Sequence, residues 1–356
     1  MRFNKFILLT SVTIATIVSS VSFADRDDDD DERHHGYKID SSGFSFALIG
    51  DGPYGEDQEP KYDNLIGDIN DDRSVRFVIH AGDTKGGGEM CTDELITRRF
   101  EQLQKINRPF VYTPGDNEWT DCHRTSNGSY LPTERLAFVR ELFFPKPRRT
   151  TGGRTMRVMT QADTEGYETF VENTLFARRG VIFSQIHVVG SNNNLRPWDQ
   201  LPEGDRPEER LAEFEARNEA SLAWLERTFE IAKRRRSPGI FITIHANLNF
   251  DIDRNDEGSR AGFNDFIDAL SEKTLAYGKP VIIAHGDSHI FRVDMPRLVP
   301  WYRSGDATTA EDNVKIPNLT RVETFGHFDN HWVKVLVNPR SEAVFSFVPQ
   351  IVESNL

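Results

Sequence analysis

Five apolar segments of the sequence each end in side chains that can ligate a metal ion. Three end in Gly-Asp, the fourth in a lone histidine and the fifth in Gly-Asp-Ser-His; the side chains are those of Asp51, Asp83, Asp116, His245, Asp287 and His289. Carboxylates supply negative charge and can bridge cations, whereas imidazoles suit zinc, iron or manganese better than calcium or magnesium. One Gly-Asp pair alone usually indicates only a turn. Five such endings in succession predict a site for one or two divalent cations.

The elements between these endings predict how the side chains come together. Short β-branched and aromatic runs predict buried strands at residues 44–49, 76–79, 109–112, 181–189, 240–244 and 280–284. Helical patterns lie between them, at residues 91–106, 133–144, 207–236 and 262–277. This alternation is typical of an α/β fold, in which the loops at the carboxyl ends of the strands converge on one crevice. We therefore expect the six side chains to meet there.

The last part of the sequence follows a different pattern. Strands are predicted at residues 321–325, 331–337 and 343–351 with no helices between them, and Asn338-Pro339-Arg340 supplies a turn. We therefore expect the chain to close as an antiparallel meander. Because the sequence contains no internal repeat and no convincing linker, one domain over residues 43–356 is predicted rather than two.

The overall charge of the chain restricts the class of partner. Its 356 residues contain 43 Lys+Arg against 56 Asp+Glu, which gives a formal net charge of −13. An acidic chain without a Lys/Arg-rich block should repel polyanions, so we do not expect a surface that coats nucleic acid. A small phosphate ester held by metal ions is compatible with this charge.

The first 24 residues have the pattern of a secretory signal peptide. They carry Arg2 and Lys5, no acid, an apolar run and the ending Ser22-Phe23-Ala24, as a signal peptidase requires. A membrane anchor is the competing interpretation, but threonines and serines leave the apolar run shorter than the roughly 20 residues that span a bilayer. We therefore predict cleavage after Ala24, export to the periplasm or the medium, and no membrane anchor in the mature chain.

Residues 25–42 predict an acidic tail. The first nine of these residues contain seven acids and two arginines, and His34-His35 follows directly. Such a run cannot bury itself, so we expect a solvated, disordered segment. A tail that collects metal ions is the alternative function.

The two cysteines, Cys91 and Cys122, suggest one disulfide if the chain is exported. The alternative is a zinc site, which would require Cys-x-x-Cys or a histidine at ligand spacing. The two cysteines instead lie in separate predicted loops, which favours the disulfide.

The strand-end motifs resemble those of the calcineurin-like metallophosphoesterases, which include the purple acid phosphatases. The matching positions, in order along the chain, read Asp51-Gly52-Pro53, Gly82-Asp83, Gly115-Asp116-Asn117-Glu118, His245 and Gly286-Asp287-Ser288-His289. The resemblance runs from about residue 44 to the end. It implies a four-layer α/β/β/α sandwich with the closing antiparallel meander in the second sheet, and a fold that brings Cys91 and Cys122 to the same rim.

The resemblance also implies a role for each candidate ligand. Asp83 would bridge two divalent cations, manganese, iron or zinc. Asp51 and His289 would complete the first site. The second site would be completed by Asp116, His245 and Asp287. A metal-bound hydroxide would then attack the phosphorus of a small phosphate ester.

The sequence departs from the family pattern at one metal ligand and at one catalytic residue. Pro53 stands where many members have a liganding histidine, and Gly86 stands where purple acid phosphatases have a liganding tyrosine. Tyr54 is a candidate to replace that ligand. Asn117 stands where the family has a catalytic histidine, and an amide can donate a hydrogen bond but cannot transfer a proton at neutral pH.

Neighbouring side chains are candidates for the missing functions. His123 could act in place of the histidine absent at Asn117, or it could be a surface histidine without a role. Arg124 and Lys85 could bind phosphate oxygens, or they could be ordinary loop residues. The candidate catalytic residues are therefore Asn117, His123 and Arg124.

Two functions follow from this resemblance and its departures. The first is an exported, metal-dependent hydrolase of phosphate monoesters or diesters. The second is a catalytically silent relative that binds metal and a phosphorylated or acidic ligand, which the changes at Pro53 and Asn117 keep open.

Overall fold

The computed structural model describes residues 43–298 and 314–356. The predicted signal peptide, residues 1–24, and the predicted acidic tail, residues 25–42, lie outside these ranges. Within them the strands are β1 (Phe44–Ile49), β2 (Val75–His80), β3 (Phe110–Tyr112), β4 (Met159–Thr160), β5 (Thr174–Arg178), β6 (Val181–Gln185), β7 (Ile240–Thr243), β8 (Val281–His285), β9 (Arg292–Asp294), β10 (Arg297–Leu298), β11 (Val314–Lys315), β12 (Leu319–Glu323), β13 (Trp332–Val337) and β14 (Phe345–Gln350). The helices are α1 (Glu59–Asp71), α2 (Asp93–Leu103), α3 (Pro132–Phe143), α4 (Gly190–Asn194), α5 (Pro207–Arg235) and α6 (Asn264–Tyr277).

The strands build two large sheets whose parallel strands carry the motif loops. The five-stranded sheet has the order β14-β13-β1-β2-β3, with β1, β2 and β3 parallel. The seven-stranded sheet has the order β4-β5-β6-β7-β8-β12-β9, with β6, β7, β8 and β12 parallel. The carboxyl ends of parallel strands meet at one edge of a sheet, so each sheet contributes one set of loops to the site.

Buried apolar side chains separate four layers. One cluster lies between the sheets and includes Phe46, Phe77, Phe183 and Phe241. A second cluster joins the five-stranded sheet to α1, α2 and α3, and a third joins the seven-stranded sheet to α5 and α6. Successive side chains of β1 point to opposite faces of its sheet. Phe44, Phe46 and Leu48 face the other sheet, whereas Ala47 and Ile49 face the helices. The predicted four-layer α/β/β/α fold is confirmed.

The structure corrects three details of the sequence prediction. Helix α1 was missed, although Tyr62, Leu65, Ile66 and Ile69 are spaced at three and four residues and are buried. The strand predicted for residues 181–189 ends at Gln185, and the N–H of His187 donates to the Asn173 side chain. The antiparallel order predicted for the last three strands holds only for β13 and β14, which join the sheet of β1 and not the second sheet that the resemblance implied.

Strand β12, the first of those three, belongs to the seven-stranded sheet. It pairs parallel with β8 and antiparallel with β9. Its two faces are both buried, with Leu319 in the helix-facing cluster and Val322 in the cluster between the sheets. An apolar run of this kind indicates a buried strand but does not indicate which sheet the strand joins.

The predicted disulfide between Cys91 and Cys122 is confirmed. Cys91 lies just before α2, and Cys122 lies in the short 3-10 turn Thr120–His123. Both sulfur atoms are buried and lie 3.6 Å from the carbonyl oxygen of Asn117. The bridge therefore fixes the loop that carries two of the motif residues, Asp116 and Asn117.

None of the helices in the described ranges combines the length and the apolar character needed to cross a membrane.

Phe46 offers a test of the packing between the sheets. Its ring stacks on Phe77 of the same sheet at 4.8 Å and meets Phe183 and Phe241 of the other sheet edge-on, at 5.5 and 5.0 Å. We expect Phe46→Ala to lower the free energy of unfolding by about 3–5 kcal/mol, because it removes apolar contacts and leaves a cavity. Urea denaturation followed by circular dichroism measures this loss, and Phe46→Leu should cost less than half as much. An unchanged unfolding midpoint for Phe46→Ala would contradict this account of the core.

Candidate metal centre

The five-stranded sheet brings three carboxylates to one end of the molecule. Asp51 follows β1, Asp83 follows β2 and Asp116 follows β3. The loops are joined directly, since the N–H of Asp51 donates to the carbonyl of Gly82 and the N–H of Asn117 donates to Asp83 Oδ1. All three carboxylates are buried.

The seven-stranded sheet delivers the other three candidate ligands from the opposite side. His245 follows β7, and Asp287 and His289 follow β8. Hydrogen bonds that connect the sheets here include those from the N–H of Asp287 to Asp51 Oδ1 at 2.8 Å and from Thr324 Oγ1 to Asp51 Oδ2 at 3.1 Å. The predicted convergence of all six side chains is therefore present in the structure.

A cleft of about 390 Å³ opens over this cluster. Asp83, Asp116, Asp287 and His289 line it, whereas Asp51 and His245 are not part of its lining. The cleft is polar, and its size suits a small ligand rather than a polymer.

His245 is oriented by the backbone so that one ring nitrogen faces the carboxylates. Its Nδ1 donates to the carbonyl of Ala81 at 2.8 Å. This bond leaves Nε2 at 3.1 Å from Asp116 Oδ1 and 3.4 Å from Asp83 Oδ1. A carbonyl that holds one imidazole nitrogen and leaves the other for a cation is the usual outer contact of a metal-binding histidine.

The candidate ligand atoms form two overlapping groups. Asp51, Asp83 and His245 offer atoms within 4.8 Å of one another, and so do Asp116, His245 and Asp287. His289 lies outside both groups, with its Nε2 at 3.7 Å from Asp51 Oδ1. The residue common to the two groups is His245, whereas the resemblance gave the shared position to Asp83.

The negative charge of the cluster has little compensation from the protein. Among the described residues, no lysine or arginine forms an ion pair with any of the four carboxylates. Their ion-pair partners are histidines, and the charges of Arg124 and Arg196 act on Asp116 and Asp287 from farther away. Burial raises the pKa of Asp51 to about 7 and that of Asp287 to about 6. Burial also raises the pKa of Asp83 well above its usual value. A divalent cation would remove this cost, so the donor set fits the ions that the sequence predicted.

Close packing explains why glycine precedes so many of the ligands. A Cβ atom on Gly115 would lie 2.0 Å from Asp83 Oδ1, and one on Gly286 would lie 2.2 Å from Asp51 Oδ2. Each of these glycines thus makes room for a carboxylate from a different loop. The repeated Gly-Asp pattern is a requirement of the cluster as a whole and not only of the separate turns.

The backbone at the ligands is itself unusual. Asp51, Asp83, Asp287 and His289 have φ angles of 51°, 59°, 78° and 63°. These values lie in the left-handed region, which is costly for residues other than glycine and is concentrated at functional sites. The surrounding hydrogen bonds hold the four residues in this conformation.

Comparison with known families agrees with this geometry. The family model for the calcineurin-like phosphoesterases matches residues 35–291, which is more than half of the chain. The chain belongs to the calcineurin-like phosphoesterase family. It is therefore a metal-dependent phosphoesterase by family, and among curated proteins none matches it by sequence.

Several solved structures are similar to this phosphoesterase at low identity. GAP50 of Plasmodium, an anchor in the inner membrane complex, is 11% identical, with a TM-score of 0.44 over 87% of this chain and 89% of that one. The purple acid phosphatase PPD1 of yellow lupin is 13% identical, with a TM-score of 0.45 over 90% of this chain and 56% of that one. A phosphatase from Mycoplasma pneumoniae is 10% identical, with a TM-score of 0.39 over 88% of this chain and 96% of that one. The family assignment rests on the family model and not on these similarities.

Tyr54 brings its hydroxyl to the candidate ligands, whereas the side chain of Pro53 has no atom that could ligate a metal ion. Its hydroxyl donates to Asp83 Oδ2 at 2.8 Å and lies 3.3 Å from His289 Nε2. Its ring stacks on His327, at 4.6 Å between ring centres. The phenol oxygen thus lies between two candidate ligands of the phosphoesterase, as the sequence prediction for Tyr54 requires.

Asn117, the second departure from the family, is held against the same carboxylate. Its Nδ2 donates to Asp83 Oδ2 and, at 3.2 Å, to the hydroxyl of Tyr54. The residue lines the cleft and is nearly buried. Its amide therefore orients Asp83 and faces the space above the ligands.

The other three candidate side chains, Arg124, His123 and Lys85, lie in different surroundings. Arg124 lines the cleft, with its guanidinium paired to Asp121 Oδ2 at 2.7 Å. His123 does not line this cleft and faces a neighbouring cavity. Lys85 is fully buried and donates to the carbonyl of Gly86, so it does not reach a ligand in the cleft. Of the three, only Arg124 lies where the sequence analysis expected.

Ser191 completes the wall of the cleft. Its hydroxyl lies 3.0 Å from Asp116 Oδ2 and 2.7 Å from Asp121 Oδ1. It begins a run of four residues, 191–194, with φ between 52° and 66°. The sequence Ser-Asn-Asn-Asn predicts such a turn, because asparagine tolerates left-handed dihedrals better than most residues. Its contact with Asp116 has no signal in the sequence.

The pKa shifts generate a test on metal-free protein. Asp287 has a folded pKa of about 6 against about 3.9 for a free side chain, so it stabilises the fold below pH 4 and this stability is lost as the pH rises through 6. Buried His80 and His285, whose pKa is lowered to about 3 by burial, act in the opposite direction. The histidines are present in both the unsubstituted protein and Asp287→Asn, so the difference in stability between these two proteins reports the Asp287 carboxylate alone.

We expect Asp287→Asn to gain stability relative to the unsubstituted protein between about pH 3 and about pH 7, by on the order of 3 kcal/mol, since the shift spans about two pKa units and one unit is about 1.4 kcal/mol. Urea denaturation after treatment with a chelator measures the difference. A difference that stays constant over this interval would show that Asp287 does not carry buried, uncompensated charge.

Proposed function

We propose that this phosphoesterase hydrolyses small phosphate esters, monoesters or diesters, at a centre of two divalent cations. The observation that carries the proposal is the cluster of four carboxylates around His245, three of them buried and Asp287 half-buried, with no lysine or arginine in an ion pair with them among the described residues. A protein that needed these residues only for folding would gain by replacing them, because buried like charges are costly.

Six side chains would hold the cations. Asp51, Asp83 and His289, with the phenol of Tyr54 beside them, are proposed for the first. Asp116, His245 and Asp287 are proposed for the second. When bound, two such cations lower the pKa of a water molecule and neutralise the oxygens of the phosphoryl group. The mixture of carboxylates and imidazoles favours manganese, iron or zinc.

The remaining side chains of the cleft would bind and orient the ester. The Asn117 amide could donate to a phosphoryl oxygen by turning the N–H that now faces the Tyr54 hydroxyl, and the guanidinium of Arg124 adds a positive charge. Asp121 and the carbonyl of Gly87 hold that guanidinium in place. Neither group transfers a proton at neutral pH. In this proposal Asn117 and Arg124 stabilise developing charge and do not act as general acids.

We also propose that the protein is exported. The predicted signal segment motivates this, and the buried disulfide supports it, since disulfides persist mainly in oxidising compartments. Sequencing of the mature N-terminus tests it: a chain that begins at Asp25 supports cleavage after Ala24, whereas an intact Met1 on protein recovered from its native compartment would contradict it.

Loss of Asp83 tests the proposed chemistry. With added manganese, iron or zinc, we expect the purified protein to hydrolyse para-nitrophenyl phosphate, its bis(para-nitrophenyl) diester, or both. Asp83→Asn should lower kcat/KM by more than the roughly 10- to 100-fold that changes in outer contacts of a metal site cost. Metal analysis of the same samples should show less bound metal.

The matched control is Asp71→Asn, a carboxylate exposed at the end of α1. It should leave turnover and metal content unchanged. Bound metal without turnover of either ester, or an Asp83→Asn protein as active as the unsubstituted one, would overturn the proposed function.

Tyr54 can be tested as a ligand without measuring activity. Burial and the charge of Asp83 raise the pKa of this phenol, so only a bound cation would deprotonate it near neutral pH. Protein loaded with ferric ion should then show a visible phenolate-to-iron absorption band, and Tyr54→Phe should lack it. Tyr130→Phe is the control, because Tyr130 lies outside the cleft lining. A band that persists in Tyr54→Phe, or its absence from the unsubstituted protein, would exclude Tyr54 as a ligand.

A further inference from the structure

A second cavity of about 240 Å³ adjoins the cleft that holds the candidate ligands. The two cavities share four lining residues, Asp121, Arg124, Ser191 and Arg196. The second cavity also has side chains of its own, among them His123 and Asp199. A ligand whose phosphoryl group sat over the metal ligands could therefore extend into this space.

Arg196 lies exposed on the wall between the two cavities, where its charge acts on Asp287 at a distance. Its Nε donates to the carbonyl of Gly258 at 3.3 Å, and it forms no ion pair with any residue in the described ranges. Arg124, the other arginine of this wall, is already paired with Asp121. Arg196 is thus the cation available to an incoming anion, and its guanidinium can bind a carboxylate or phosphate through two parallel hydrogen bonds.

His123 provides a second, independent sign of a ligand. Its side chain is only 8% exposed, it lines the second cavity, and its Nδ1 is buried without a hydrogen-bond partner. Burial and the charge of Arg124 lower its pKa, so the ring is neutral at physiological pH and can donate one hydrogen bond. Buried polar atoms nearly always have a hydrogen-bond partner, so the unpaired Nδ1 of His123 indicates that a ligand supplies its partner.

Asp199, which lines the second cavity, would oppose the binding of an anion there. Its Oδ1 lies 4.0 Å from His123 Nδ1, and its charge would oppose an anion. However, 71% of its side chain is exposed, so solvent and salt screen that charge. Arg196 is exposed as well, and Asp121 also lines the cavity, so the case for an anion rests on the hydrogen bonds that Arg196 and His123 can donate and not on a net positive charge.

The wall is also rigid. Trp198, two residues after Arg196, is fully buried, and its indole N–H donates to Asn194 Oδ1 at 2.9 Å. Its backbone N–H donates to Asp205 Oδ1 at 2.7 Å. A preformed cavity of this kind binds its ligand without the entropic cost of ordering a loop.

We propose that the second cavity binds an anionic group on the alcohol part of the substrate, through Arg196 and His123. This rests on the proposed function, and it specifies the substrate class: small phosphate esters whose alcohol carries a carboxylate or a second phosphate. Esters of neutral alcohols fill only the first cleft.

Two matched pairs of substrates test the proposal on the metal-loaded protein. The first pair is 3-phosphoglycerate and glycerol 3-phosphate, which differ by a carboxylate. The second pair is fructose 1,6-bisphosphate and fructose 6-phosphate, which differ by a phosphate. We expect the more anionic member of at least one pair to have a kcat/KM about tenfold higher, mainly through a lower KM, as a charge-assisted hydrogen bond allows. The pair that shows the preference identifies the anionic group.

Arg196→Gln should reduce this preference to less than about twofold, and His123→Ala should reduce it in part. Arg227→Gln, an exposed arginine on α5, is the matched control and should leave it unchanged. Calorimetry with 3-phosphoglycerate provides a binding readout that is independent of turnover.

The outcomes distinguish the two proposals. Failure to hydrolyse any ester would overturn the proposed function. Hydrolysis of every ester with no preference within either pair, or a preference that survives Arg196→Gln, would overturn the anion-binding cavity and leave the proposed function intact.

Discussion

Buried negative charge is the constraint on which the rest of this structure depends. Four carboxylates converge beneath one cleft, and the nearest positive partner that the protein offers is the imidazole of His245. Such a cluster opposes folding unless a cation joins it, because charges lose their hydration on burial. The fold must therefore hold the carboxylates together against their repulsion, and the aromatic cluster between the two sheets packs together the strands that carry them.

Several local features serve this one purpose. The disulfide under the Asn117 carbonyl fixes the loop after β3, and the left-handed turn at residues 191–194 brings Ser191 against Asp116. The three asparagines of that turn are bonded to buried partners, which include the Gly262 backbone and Arg217. Strained backbone of this kind persists only where its surroundings over-determine it. The rigidity of the site is thus distributed over both sheets.

The convergence of the six candidate ligands could be predicted because each belongs to a local pattern. A buried strand followed by Gly-Asp or His is visible in a few residues, and the carboxyl ends of parallel strands then bring distant motifs together. The partner sheet of β12 and the positions of Arg196, His123 and Lys85 could not be predicted in this way, since they depend on tertiary packing. Helix α1 is different, because the spacing of Tyr62, Leu65 and Ile66 contains the signal and was overlooked.

Asn117 stands where the family has a catalytic histidine, and this difference changes how the site would work. An asparagine keeps a donor beside the phosphoryl group but removes a proton source, and in this structure the amide is bonded to Asp83 and Tyr54. Under the proposed function, substrate recognition would depend more on positive charge, and the arginines that line the cleft include Arg124 and Arg196. An acidic protein whose substrate is an anion needs such charge close to the reacting group, because its overall field is repulsive. The two arginines and the cations would together reverse that field within the cleft, while the surface outside stays negative.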